Sequence, residues 1–182
     1  MSAFSNRRTA ASIMAAMIAL SILLGAYRSG ARLYSQVENA FYNGAKDNGI
    51  GIASDLTQRS ESSVNLVTVA KRYLESDNSL LSNVQSAVSG LNSADSLYEK
   101  YQANKDLDAA MSALYDGMSG LRLSEKDESY RKSLYADFTS ASMTMSHDSY
   151  NETAIEYNRE ISSFPGSIFF TLYGFGKAPV FR

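Results

Sequence analysis

The 182-residue chain has no cysteine, no tryptophan, two prolines and one histidine. Without cysteine there are no disulfides, no thiolate nucleophile and none of the thiolate-based structural zinc sites, and the redox compartment stays open. So few prolines leave room for long uninterrupted helices, and the missing tryptophan argues, if only slightly, against an all-β fold. A charge of one sign is missing as well. Seventeen basic residues face nineteen acidic ones, so the chain carries no electrostatic footprint for nucleic acid. The length suits one domain plus an anchor, not two comfortable domains.

What is present is a hydrophobic run near the start. From Thr9 to Tyr27 no charged residue occurs, and at about 1.5 Å per residue the run approaches the roughly 30 Å of bilayer hydrocarbon. This predicts a short tail (1–8), a single transmembrane anchor (9–27) and a helical domain (28–182) ending in an aromatic tail (164–182). Arg7 and Arg8 precede the run and Arg28 and Arg32 follow it. The free amino terminus tips this near tie towards an inside N-terminus and an extracytoplasmic domain. A cleaved signal peptide is the alternative, with Ser29-Gly30-Ala31 as its small-x-small site. The run is longer than an ordinary h-region, however, and arginines crowd the cleavage zone. Past Gly25 the helix is expected to leave the membrane and stop near Asn43, loosened at Gly30 and followed by a turn-rich loop from Gly44 to Gly51.

Downstream, apolar residues recur in helical phase. One seam runs from Ile52 through Leu56, Leu66, Ala70 and Val84 to Leu91, with weaker packing expected at its polar members Arg59, Ser63 and Asp77. Ser76-Asp77-Asn78 favours caps while the phase passes through unchanged, so the spacing leaves open one helix or two. A third helix follows Ser93, with Leu97, Leu107, Met111, Leu114 and Met118 on one face, and closes at Gly117 and Gly120. Ser124 with Asp127 three residues on reads as a relative of the capping box. It opens a last, long helix whose stripe passes Tyr130, Leu134, Phe138 and Met145. The stripe resumes at His147 after a step of two, which implies a change of packing face. Pro165 and Gly166 end it. The expected class is therefore all-α: an N-terminal transmembrane helix followed by an antiparallel up-down bundle of about four long helices.

The residues from Tyr150 to Asn158, then Ile161, Phe164-Pro165 and Gly174-Phe175, resemble the YNxAVxxYNxxIxxFP…GF block of the LemA family. Asn65-Leu66-Val67 with Lys71 and Tyr73 is similar to its PNLVxxVKxY segment, and Ala103-Asn104 with Leu107 and Ala113-Leu114 to its ANxxLxxAL pattern. The likeness covers roughly Leu56 to Phe181 and the anchor. Val64 stands where the family usually has proline, the customary tryptophan before the second helix is absent, and the loop from Gly44 to Gly51 looks like an insertion. The resemblance implies an anchored antiparallel bundle and assigns no activity to it.

No motif calls for a cofactor or a metal. Thr144 occupies the place, three before His147, where a di-iron bundle needs glutamate. The loop at Gly44 lacks the Lys-Ser/Thr ending of a phosphate loop. Ser146, His147 and Asp148 look like a hydrolytic set, yet neighbours on a helix are not expected to face one another, which leaves His147 as a partly buried helix residue.

Tyr150, Asn151, Tyr157 and Asn158 share one helical face and offer either a recognition surface or core tyrosines with amides bridging backbone. Glu152, Glu156 and Glu160 form an i, i+4 carboxylate row, a basic-partner or cation surface or simply a solvated face. In the tail, Phe169, Phe170, Tyr173 and Phe175 are candidates for the headgroup level, with Lys177 and Arg182 towards lipid phosphates; the alternative folds the tail over the core. The expected partners are membrane lipid and unidentified protein, a second copy included, but not nucleic acid. The leading expectation is a membrane-anchored, non-enzymatic scaffold or adaptor. An anchored sensor binding a small ligand or metal in the bundle stands second, and a hydrolase using His147 third.

Overall fold

The computed structural model describes residues 7–44 and 50–182; the rest of the expected loop, 45–49, lies outside them. The described residues form seven helices and no strand: α1 (Arg7–Asn43), α2 (Ile52–Ala70), α3 (Ser79–Ser93), α4 (Leu97–Met118), α5 (Glu125–His147), α6 (Tyr150–Ser162) and α7 (Gly166–Leu172). α1 divides into two environments. Met14, Met17, Ile18, Leu20, Ile22 and Leu24 are all exposed, whereas Val37, Ala40 and Phe41 are buried. Its first half is long and apolar enough to cross a membrane and stands clear of the protein interior.

Helices α1 to α6 make four antiparallel rods, two of them broken. α1 packs mainly on α6, α2 on α5 and α3 on α4, while α1 and α2 adjoin only where one ends and the other begins. Ring contacts of Phe41 with Tyr150 and of Tyr34 with Tyr157 set α1 and α6 antiparallel. Arg72 at the end of α2 meets Asp127 at the start of α5. α1 and α2 thus form one ascending rod, α3 descends, α4 ascends, and α5 with α6 descends. This is the expected up-down bundle.

Caps explain where the rods turn or break. Asn78 accepts a hydrogen bond from the Leu80 N–H and starts α3, so the segment from Ile52 to Leu91 is two helices. Ser96 and Glu99 form a reciprocal capping box on α4. Ser124 Oγ accepts from the Asp127 N–H, and the Ser124 N–H finds the Tyr73 hydroxyl. The last helix was expected to run unbroken to Phe164; it stops at His147. Asp148 is extended and its Oδ1 accepts from the Tyr150 N–H at 2.7 Å. The two-residue step in the stripe is therefore a helix break capped by Asp148.

Between the rods lies a core that includes Leu66, Val84, Leu107, Met111, Leu114 and Phe138. Each such side chain contributes about 1.5–3 kcal/mol by leaving water. Two expectations about seams are corrected. Tyr130 is exposed, and the buried line of α5 runs instead through Asp127, Arg131, Phe138 and Met145. On α2, Arg59 and Ser63 are completely buried, while Asp77 sits exposed in the turn.

Candidate functional site

The two Tyr-Asn pairs converge on one object, the chain's own C-terminal segment. Helical spacing puts all four side chains on one flank of α6, and residues 174–182 run back along that flank in the opposite direction. Tyr157 donates its hydroxyl to the Gly176 carbonyl at 3.0 Å, and Tyr150 donates to the Pro179 carbonyl at 3.0 Å. Asn158 closes a two-way pair with Ala178: Nδ2 donates to its carbonyl and Oδ1 accepts from its N–H, both at 2.8 Å. Asn151 does similar work with Oδ1 on the Phe181 N–H at 2.8 Å and Nδ2 on the Met145 carbonyl at 2.7 Å. The amide of Asn151 thereby bridges the α5–α6 break to the C-terminus.

Aromatic packing completes this strap. The Phe181 ring meets those of Phe41, Tyr101 and Tyr150, so the last residues close the core where α1, α4 and α6 approach. Burial pushes the Tyr150 phenol well above its ordinary pKa and that of Tyr157 up to about 12, with Tyr34 as a secondary cause for both. Both hydroxyls therefore remain protonated donors at any ordinary pH.

The tail before this segment docks on α1. The Tyr173 hydroxyl donates to the Leu23 carbonyl at 3.0 Å, and its ring meets Tyr27 edge-on at 5.4 Å between centroids. Gly30, expected to loosen α1, interrupts nothing. It is buried under Phe175, and a Cβ built there would lie 2.5 Å from that ring. Gly174, at φ 76, lets the chain reverse after α7, with the Phe175 N–H reaching the Phe170 carbonyl at 2.9 Å. Of the four tail aromatics singled out, Phe170 is buried and Phe169, Tyr173 and Phe175 are half-buried, and the rings of Phe170, Tyr173 and Phe175 pack on the protein. Lys177 stays near Tyr27, but Arg182 lies at the other end of the strap beside Asn104 and Asp108. It cannot reach the level of Tyr27 that was expected of it.

A cavity of about 450 Å³ opens between α1, the start of α4 and the strap, lined by Tyr27, Tyr34, Tyr98, Tyr173, Phe175 and Lys177 among others. A second, of similar size, is a shallow groove of small residues along α3 and α4, including Ala87, Gly90, Ala103 and Ala110.

The other candidates are placed apart from the strap. Glu152, Glu156 and Glu160 are exposed, and Arg159 bridges Glu156 at 3.2 Å and Glu160 at 3.6 Å. His147 is exposed rather than partly buried, because the helix ends there. Contrary to expectation it does meet its neighbour: Nδ1 lies 2.9 Å from Ser146 Oγ and 2.9 Å from the Met143 carbonyl. Asp148 is engaged in capping α6 and does not complete the set.

Sequence reasoning placed Arg59 on the seam of α2 without its partners and missed buried Asp55 altogether. Arg59 is enclosed, donates to Asn104 Oδ1 at 2.7 Å, pairs with Asp108 and lies 4.0 Å above the Phe138 ring. Desolvation lowers its pKa, opposed by Asp108. Asp55 is buried with Oδ2 unpartnered among the described residues, and burial, reinforced by Asp148, raises its pKa to about 6. The ANxxLxxAL resemblance marked Asn104, but nothing in the spacing tied it to Arg59 forty-five positions earlier.

The fold and strap define a class: an all-helical up-down bundle with an apolar N-terminal helix and a C-terminal segment clamped to its last rod. Residues 50–182 match the LemA family, and the chain belongs to it. No curated protein matches the chain.

Proposed function

We propose that this LemA-family chain is a membrane-anchored, non-enzymatic adaptor whose bundle, on the extracytoplasmic side, presents helix faces to protein partners. The observation that carries the reading is the continuity of α1. One helix from Arg7 to Asn43 has an exposed apolar first half and a second half built into the core. Because no flexible linker intervenes, an anchored α1 would hold the whole bundle at a set height and tilt above the bilayer. The residues that looked chemical support a structural use: Tyr150, Asn151, Tyr157 and Asn158 bind the C-terminal strap, and Asp148 caps α6.

The shallow α3–α4 groove, whose small side chains permit close approach of another helix, is a suitable receiving face; a second copy of the chain is one admissible occupant. The test is purification from detergent after cross-linking, comparing the parent with Ala110→Arg in the groove. The reading expects a reproducible cross-linked partner, or a dimer, that Ala110→Arg loses. A monodisperse, partner-free preparation contradicts it.

A second reading, a ligand-dependent sensor, is favoured by the tyrosine-lined cavity beside Tyr27 and Lys177. A ligand seated there would raise the melting temperature in a metabolite and metal screen, and the variant Tyr98→Ala, which opens the wall, would cancel the rise. Flat melting temperatures across the screen count against it.

A further inference from the structure

The tail carries an apolar face that the protein does not cover. Ile168 and Leu172, one turn apart on α7, are 61% and 69% exposed, and Phe164, just before the helix, is 82% exposed. The opposite side of the same element holds buried Phe170 and half-buried Tyr173 against the protein. From Ile161 to Gly176 the sequence contains no charged residue; Glu160 and Lys177 bound the stretch.

Its position along α1 is fixed by contacts. Tyr173 reaches the Leu23 carbonyl, packs on the Tyr27 ring and is followed by Phe175 over Gly30. Leu23 lies within the uncharged run, one helical turn, about 6 Å, before Tyr27. α7 therefore adjoins the last apolar turns of α1, where Leu20 and Leu24 are also exposed, and its outer face continues theirs. The exposed cations Arg28, Arg32 and Lys177 follow on the bundle side of that level.

We propose that α7 lies in the headgroup–acyl boundary of the leaflet from which α1 emerges, with Phe164, Ile168 and Leu172 among the acyl chains. The occupant of this face is the lipid bilayer, chosen by continuity with the exposed surface of α1 and by the lack of charge. The inference rests on the reading that α1 crosses the membrane. It also exchanges the outward roles in the tail: Phe170, Tyr173 and Phe175 hold α7 on the protein, while Phe164, Ile168 and Leu172 meet lipid. With two holds rather than one, rotation of the bundle about the α1 axis is restrained.

A chain without cysteine lends itself to single labels. Met17→Cys, Ile168→Cys, Leu172→Cys and Met143→Cys, all at exposed positions, would carry a nitroxide in full-length protein in nanodiscs of phosphatidylcholine and phosphatidylglycerol. Unchanged helical circular dichroism would verify each fold. The quantity read is collision with oxygen relative to a water-soluble nickel chelate. The expected result is a ratio at 168 and 172 close to that at 17 and several-fold above that at 143, an exposed position of α5 in the middle of the bundle. A lipid-like ratio at 17 with a water-like ratio at either 168 or 172 overturns the inference and leaves the anchor standing. A water-like ratio at 17 overturns the anchor and, with it, this inference.

Discussion

Asn158 and Ala178 exchange a two-way hydrogen bond, side-chain amide to backbone N–H and C=O, each at 2.8 Å. An asparagine that reads a peptide unit in both directions holds a chain in place without regard to its side chains. Here the peptide held is the protein's own end, which explains why tyrosines and asparagines recur together on α6. Asn158→Ala removes both bonds at a net of about 1 kcal/mol each. Hydrogen exchange should accelerate across 176–182 while amides of α2 and α5 keep their protection. Unchanged exchange at Ala178 would contradict the strap.

Gly30 and Phe175 form the other fastening. Gly30→Ala places a methyl 2.5 Å from the ring, and overpacking of this kind costs about 1–3 kcal/mol. The loss should show as a lower melting temperature and should shrink when Phe175→Leu is added, since the two positions share one contact. Additive losses in the double variant would mean that the ring does not rest on Gly30.

Asp55 makes stability depend on pH in the opposite sense to an ion-paired carboxylate. Its pKa rises from 3.8 unfolded to about 6 folded. Between these values the folded state binds more protons, so the contribution falls as pH rises through the window and stays lower above it. The size is at most about 3 kcal/mol. Asp55→Asn should therefore be more stable than the parent above pH 6, and the difference should vanish near pH 4. A constant difference across that range would exclude a raised carboxyl.

Arg59 and Asp108 permit a sharper comparison. Asp108→Ala leaves a buried cation with only Asn104 and the Phe138 face, and should cost about 3 kcal/mol. Adding Arg59→Met removes the cation and should recover most of the loss, measured by urea denaturation. A double variant as unstable as Asp108→Ala alone would show that packing, rather than charge, governs the position.

The elements were legible in the sequence because their period is local. Leu97 to Met118 share a face by spacing alone, and Asn43, Ser124 and Asp127 mark ends through cap and turn chemistry. The break at Asp148 was visible only as a two-residue slip, since an aspartate two before Tyr150 does not announce that it caps. Arg59 and Asp55 were illegible for another reason. Arg59 reads as a defect on its seam until its partners, Asn104, Asp108 and Phe138, are brought in from other helices, and nothing local marks Asp55, whose burial and like-charged neighbour Asp148 arise only in the fold. The face of Tyr150 and Tyr157 could be seen, but what it faces could not, because residues 174–182 have no period of their own.

α1 is the point on which the functional account turns, and alkaline carbonate extraction of membranes with intact-mass analysis tests it most directly. The account predicts that the chain stays in the membrane pellet at its full 19.9 kDa, with residues 1–31 retained, and that deleting residues 1–27 releases it. Recovery of the full-length chain in the carbonate supernatant, or of a mature chain beginning after Ala31, would contradict it.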